Sequence, residues 1–295
     1  MNRIINKKIY GNNKMKPTIH FILPGGGVKG CFQAGFLYHL FKYFPKEFSL
    51  YQLDGCSVGA LNGFAVCGGN IEELKRIWDT ISCRNDIFES QSIIPIWNSI
   101  KTLYKGFYYN GVYYNNLQKK INNYEMNKIN EMEKFNCVCV NIKTGICEYK
   151  NGLNEKIREY VYASSNPWIV ASPVTIEDDV YTDGALLETY PIEYIEKSTA
   201  DLIVIVGYDE EHFEKCEFDE SENIMMYLSR LIDICRNNNK NLEKTKEKIK
   251  KHKNIILIDS PMKVNVLYFD KEIIEEGFNM GMQASAKFVL QYLNK

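Results

Sequence analysis

Apolar side chains recur along this chain in two alternating rhythms, one suited to strands and one to helices. Positions 18–23 form a short, mostly apolar run that ends in Pro24 and three glycines, the profile of a buried parallel strand leaving a sheet. Phe32, Phe36, Leu37, Leu40, Phe41 and Phe44 then recur at helical spacing until Pro45 stops the pattern. The next stretch repeats this unit: positions 50–56 read as a strand, and Ala60, Leu61, Phe64, Ala65 and Val66 mark a helix closed by Gly68 and Gly69.

From 71 to 123 the spacing stays helical but is rich in aromatics, including Trp78 and the run from Trp97 to Tyr114, which predicts a cap or insertion rather than sheet. Positions 135–142 and 146–149, joined through Lys143, Thr144 and Gly145, predict a hairpin, and 155–164 a helix. Short strands at 174–176 and 180–181 flank an acidic turn, and 202–206 is another core-strand run. A long helix over 222–251, a last strand over 254–259 and a closing helix over 270–292 follow. Strands alternating with helices predict a three-layer α/β/α fold with a mostly parallel central sheet. The expected organisation is a loose arm over 1–16, a core over 17–207, and an extension over 208–295 packed on the same domain.

With 45% hydrophobic and 25% charged residues over 295 positions, the chain has globular composition, which excludes a disordered, collagen-like or disulfide-scaffold protein. Its 36 basic and 37 acidic side chains leave a net charge of −1, so no global field recruits nucleic acid, and none is expected as a partner. Nine cysteines, an odd number, in a chain read as lacking a signal peptide predict the cytoplasm or another reducing compartment. No apolar run approaches the ~18 residues of a transmembrane helix, so contact with lipid is expected from the water side, as a peripheral protein. The lysines of 240–253 read either as a solvated helix face paired with Glu243 and Glu247 or as a membrane-facing basic patch.

Two glycine motifs carry the chemistry. Gly25-Gly26-Gly27-Val28-Lys29-Gly30 satisfies the dinucleotide pattern G-x-G-x-x-G between a strand and a helix. That reading needs an acidic residue ending the second strand over an open crevice, whereas Asp54 opens another motif instead. Gly55-Cys56-Ser57-Val58-Gly59 is that motif, a nucleophile elbow in its required place between strand and helix. Small residues flank the serine because side chains there would strike the neighbouring strand or helix. A plain turn serine is the bland alternative. Glycines 25–27 leave backbone N–H groups able to face a developing oxyanion, while a tight packing turn explains one glycine and not three in a row.

A Ser/His/Asp arrangement needs a late histidine, and His212 and His252 both sit in polar surroundings; His20 and His39 precede the elbow and read as packing or capping residues. Asp183, in Val180-Tyr181-Thr182-Asp183-Gly184-Ala185, follows a short apolar strand, and Gly184 predicts a turn that presents its carboxylate at the sheet edge; a self-satisfied Asx-turn is the alternative. Cys137-x-Cys139 puts both sulfurs on one strand face without a second ligand pair at zinc spacing, so buried thiols are expected and no metal or cofactor.

The glycine loop, the elbow and the Asp183-Gly184-Ala185 turn, in that order, resemble the three motifs of the patatin-like phospholipase family. The resemblance runs from about Thr18 to Gly207 and includes Ser164-Ser165-Asn166-Pro167 on the approach to the aspartate. It implies a patatin-like fold and a Ser/Asp dyad without histidine, acting on acyl esters of phospholipid or a related lipid at a membrane or micelle surface. By position, Ser57 is then the nucleophile, Asp183 the base, and the N–H groups of Gly26, Gly27 and Val28 the oxyanion hole. Cys56 stands where the family often has threonine, and Trp168 where a small residue is usual. A soluble esterase or acyltransferase with the same dyad, or a lipid-binding protein without turnover, are the alternatives.

Overall fold

A computed structural model describes residues 16–87, 115–124, 126, 129–166, 173–208, 240–252 and 254–293. The two repeated units form its centre. β1 (Thr18–Leu23) leads through a 3-10 turn (Gly27–Lys29) into α1 (Gly30–Tyr43), and β2 (Ser49–Cys56) leads into α2 (Val58–Cys67). α3 (Ile71–Asp79), α4 (Asn115–Asn122) and the one-turn α5 (Ile129–Met132) precede the hairpin of β3 (Phe135–Asn141) and β4 (Ile146–Asn151). Then come α6 (Ile157–Ser164), β5 (Val174–Ile176), β6 (Asp179–Asp183), β7 (Leu202–Tyr208), α7 (Lys240–Lys251), β8 (Ile255–Asp259) and α8 (Lys271–Phe288).

The strands form one sheet in the order β5-β6-β3-β2-β1-β7-β8, with β4 paired to β3 off that path. Pairing is parallel from β3 through β2, β1 and β7 to β8, and antiparallel where β4 and β6 meet β3 and β5 meets β6. Both faces are covered. Along β1, Ile19, Phe21 and Leu23 enter the larger apolar core, while Ile22 joins Tyr190, Ile192, Ile195, Ile203 and Ile205 on the opposite face. Such alternating burial on two faces is the physical content of an α/β fold with a covered parallel sheet. Residues after 208 contribute β8 to this sheet and α8 to the larger core, where α8 packs on α1 backbone to backbone. A Cβ at Gly35 would stand 1.9 Å from the Phe278 carbonyl oxygen, and one at Gly281 2.0 Å from that of Phe32.

Element ends follow local chemistry. The closing helix starts one residue later than its periodicity predicts because Asp270 is its N-cap, accepting from the Glu272 and Ile273 amides at 2.9 and 3.2 Å. It passes at Phe288 into a π-helical turn, Val289–Leu293. β6 is longer than expected from 180–181, because its polar ends Asp179, Thr182 and Asp183 pair in register with β5 and β3. The aromatic run from Trp97 to Tyr114, Trp168, most of the expected arm and the part of the expected long helix before Lys240 lie outside the described residues. Among the described residues no helix is long and apolar enough to cross a membrane.

Candidate active site

β2 ends at Cys56, and the chain must reverse into α2 within one residue. Ser57 makes that turn at φ 55° and ψ −125°, a left-handed conformation that a non-glycine residue adopts only when its surroundings impose it. The surroundings are tight. A Cβ at Gly55 would lie 2.5 Å from the Gly59 carbonyl oxygen, and a Cβ at Gly59 only 2.1 Å from that of Leu23. The Ser57 amide donates to Ser164 Oγ at 2.9 Å, and Ser164 Oγ in turn donates to the Val138 carbonyl at 2.6 Å, which ties the elbow to β3.

Sheet register brings the second group to the first. β4 occupies one whole edge of β3, so β2 and β6 share the other. β2 runs parallel to β3 and ends with Cys56 opposite Val138; β6 runs antiparallel and ends with Asp183 opposite Cys139. The two strands therefore meet end to end at consecutive positions of β3, and the residues at their tips face each other. Ser57 Oγ donates to Asp183 Oδ2 at 2.7 Å, the short distance of a hydrogen bond to a carboxylate. Asp183 is 4% exposed, and its Oδ1 accepts from the Ala185 amide at 2.8 Å, the Asx-turn that Gly184 allows. One carboxylate oxygen thus closes the turn and the other meets the serine. Gly184 itself presses on β3, since a Cβ there would be 2.5 Å from the Val138 carbonyl oxygen.

The glycine loop arches over the elbow. A Cβ at Gly25 would come within 3.1 Å of Ser57 Cβ, and the Gly25 amide donates to the Thr189 carbonyl at 3.0 Å. Gly27 has φ +55°, and a Cβ there would meet the Val266 carbonyl oxygen at 2.0 Å. That same carbonyl accepts from the Val28 amide at 2.9 Å. This corrects the expected oxyanion hole: the Val28 N–H is already donated to the chain before α8, whereas those of Gly26 and Gly27 have no acceptor among the described residues. Gly30 opens α1 where it packs on the start of α2, its Cβ position 2.2 Å from a Val58 methyl.

Ser57 and Gly27 sit at one end of a groove of about 880 Å³, open solvent included. Its walls are apolar, with Leu61, Phe64, Leu74, Trp78, Leu267 and Phe269 among them. Sequence reasoning missed most of this wall. Its residues come from α2, α3, α4 and the loop before α8, and each reads locally as ordinary core.

Glu188 braces the loop behind the site, its Oε1 accepting from the Tyr149 hydroxyl at 2.8 Å and the Ile192 amide at 3.0 Å. Burial pushes its carboxyl above the ordinary range despite these donors. Cys56 Sγ lies 3.9 Å from Asp183 Oδ1; burial first, and then that carboxylate, push the thiol up, so it stays protonated. Cys137 and Cys139 are buried, their thiols likewise raised by desolvation. Neither described candidate among the early histidines faces Ser57. His20 is fully buried between Asp54 Oδ2 at 3.0 Å and Ser198 Oγ at 3.1 Å, and His39 bonds Ser285 Oγ at 3.1 Å. His252 ends the lysine-rich α7, and His212 lies outside the described residues. In α7, Lys248 approaches Glu193 at 3.9 Å.

The family model "Patatin-like phospholipase" matches residues 21–195. No curated protein sequence matches the chain. Among solved structures, the crystal structure of VipD from Legionella pneumophila is similar at 13% identity and a TM-score of 0.42, covering 92% of this chain and 67% of that one. Since the family match spans more than half of its length, the chain belongs to the patatin-like phospholipase family, a family of lipid hydrolases.

Proposed function

We propose that this chain hydrolyses carboxylic ester bonds of phospholipids or related acyl lipids through a Ser57/Asp183 dyad, working from the water side of a lipid surface without a cofactor. The observation that carries this reading is the 2.7 Å hydrogen bond from Ser57 Oγ to Asp183 Oδ2 at the end of an apolar groove. Ser57 Oγ attacks the ester carbonyl as its proton passes to Asp183, and the Gly26 and Gly27 amides receive the oxyanion. A donor so placed supplies ~2.7–4 kcal/mol of transition-state stabilisation. As the tetrahedral intermediate collapses, the C–O bond to the alcohol breaks and Asp183 returns the proton to the leaving oxygen. Water then attacks the acyl-enzyme with Asp183 again taking the proton; the bond from the acyl carbon to Ser57 Oγ breaks, Asp183 returns the proton to that oxygen, and the fatty acid departs. Ser57 stands at the N-terminus of α2, whose dipole favours the negative charge of the oxyanion.

Mixed phospholipid vesicles incubated with the wild-type chain and with Ser57→Ala, followed by mass spectrometry of the products, test the proposal. Free fatty acid and lysolipid released by the wild type alone are expected. Equal release by the folded Ser57→Ala variant contradicts the dyad, and acylated alcohols in place of free acid indicate transfer instead of hydrolysis.

A further inference from the structure

The groove beside Ser57 carries one feature that an ordinary acyl chain does not use. Its direction is set by α2: Val58, Leu61, Ala65 and their neighbours line it over about two turns, so it runs ~12 Å along that helix from Ser57. The Tyr124 hydroxyl donates to the Ala65 carbonyl at 2.6 Å, which fixes α4 and the residues just after it at the far end. Lys120 stands there, one turn back from Tyr124, and it also lines the groove.

The other polar side chains on this wall are spent on the protein itself. Asn62 donates to the Gly30 carbonyl and accepts from the Trp78 indole at 3.0 Å. Ser165 Oγ donates to the Val161 carbonyl at 2.8 Å, and the Tyr124 hydroxyl is used as described. Lys120 differs. An ammonium has three N–H donors, and among the described residues it meets one acceptor, Thr80 Oγ1 at 2.9 Å. The nearby carboxylates are engaged elsewhere: Asp86 with the Ser82 and Cys83 amides and the Ser82 hydroxyl, and Glu73 with Arg76. Partial burial pulls the Lys120 amine below the ordinary lysine range, the mark of a cation not fully compensated by its surroundings.

We propose that Lys120 reads the far end of the acyl chain, and that the groove prefers acyl groups that terminate in a carboxylate or another anionic acceptor over those that end in a methyl group. This rests on Ser57 being the acyl acceptor. A terminal carboxylate gives the N–H donors that meet no acceptor among the described residues a charge-assisted partner, whereas a methyl terminus desolvates the ammonium and returns nothing. The chain between the two ends needs only the apolar wall.

Two measurements separate this inference from the reading beneath it. The first compares kcat/KM for p-nitrophenyl esters of octanedioic, dodecanedioic and hexadecanedioic acids, each free at the other end, with the esters of the corresponding monocarboxylic acids. These esters have no headgroup, so a difference reports on the acyl end. A preference of about five- to tenfold for the diacid ester is expected at the length that spans the groove, as one partly exposed ion pair allows. Lys120→Met should abolish or reverse it, and Lys120→Arg should keep it. Turnover without that preference, or the same preference in Lys120→Met, overturns the inference and leaves the hydrolase reading intact.

The second measures displacement of a fluorescent fatty acid from the wild-type chain and from Lys120→Met by dodecanedioic and dodecanoic acids. If no ester is turned over, tighter binding of the diacid to the wild type alone upholds the role of Lys120 while the hydrolase reading fails. Equal binding of the two acids overturns both. Matching circular dichroism and melting curves for the variants establish that each is folded.

Discussion

Asp183→Asn is the most informative single change, because it alters the proton acceptor and little else. The substitution keeps the volume of a side chain that is 4% exposed. Asparagine places its carbonyl oxygen where Oδ1 now accepts from the Ala185 amide at 2.8 Å, so the turn survives. Its NH2 group then occupies the place of Oδ2, 2.7 Å from Ser57 Oγ, and offers a donor where a base is needed. A positioned general base contributes ~10²–10⁴ in rate, which is ~2.7–5.5 kcal/mol of barrier. Hydrolysis of a soluble short-chain p-nitrophenyl ester by Asp183→Asn should therefore fall by at least about a hundredfold at every pH tested, with unchanged melting cooperativity. His39→Gln, His212→Gln and His252→Gln should each stay within about tenfold of wild type, since that is only ~1.4 kcal/mol. A histidine variant that collapses while folded Asp183→Asn remains active would refute the dyad and remove Asp183 from the site.

Three other outcomes follow from the same geometry. Gly59→Ala should cost ~1–3 kcal/mol or more in urea denaturation, because its Cβ would stand 2.1 Å from the Leu23 carbonyl oxygen; unchanged stability would show that the elbow is not tight. Glu188 has its carboxyl raised by burial, so the folded chain holds that proton more tightly than the unfolded chain, and stability falls as pH rises from the unfolded glutamate range, ~4.3, through the folded value. Glu188→Gln should flatten that decline in chemical denaturation at a series of pH values, and an unchanged slope counts against the buried carboxyl. Iodoacetamide at mildly alkaline pH should label the exposed Cys83 in the native protein but reach Cys56, Cys67, Cys137 and Cys139 only after denaturation, as read by peptide mass spectrometry; early labelling of Cys56 would contradict its burial.

The local parts of this molecule were legible because each is written in neighbouring residues. The strand before Pro24, the helix ended by Pro45 and the elbow between Gly55 and Gly59 all follow from spacing and small-residue rules. What spacing does not carry is register between distant strands. That Ser57 and Asp183 meet depends on β2 and β6 ending at adjacent positions of β3, which neither motif encodes. The fate of the Val28 amide was hidden for the same reason, its acceptor being Val266 far along the chain. Lys120 reads locally as one more lysine on an amphipathic helix, and only the assembled groove shows that Thr80 Oγ1 is its one acceptor among the described residues.

Covalent labelling of the nucleophile tests the central claim most directly. A fluorophosphonate probe reacts with a serine that has an active proton acceptor and an oxyanion site, and proteolysis followed by tandem mass spectrometry locates the adduct. The account predicts a single adduct on Ser57, absent from folded Ser57→Ala and strongly slowed in Asp183→Asn. An adduct on another serine, or undiminished labelling of the Ser57→Ala chain, would contradict it.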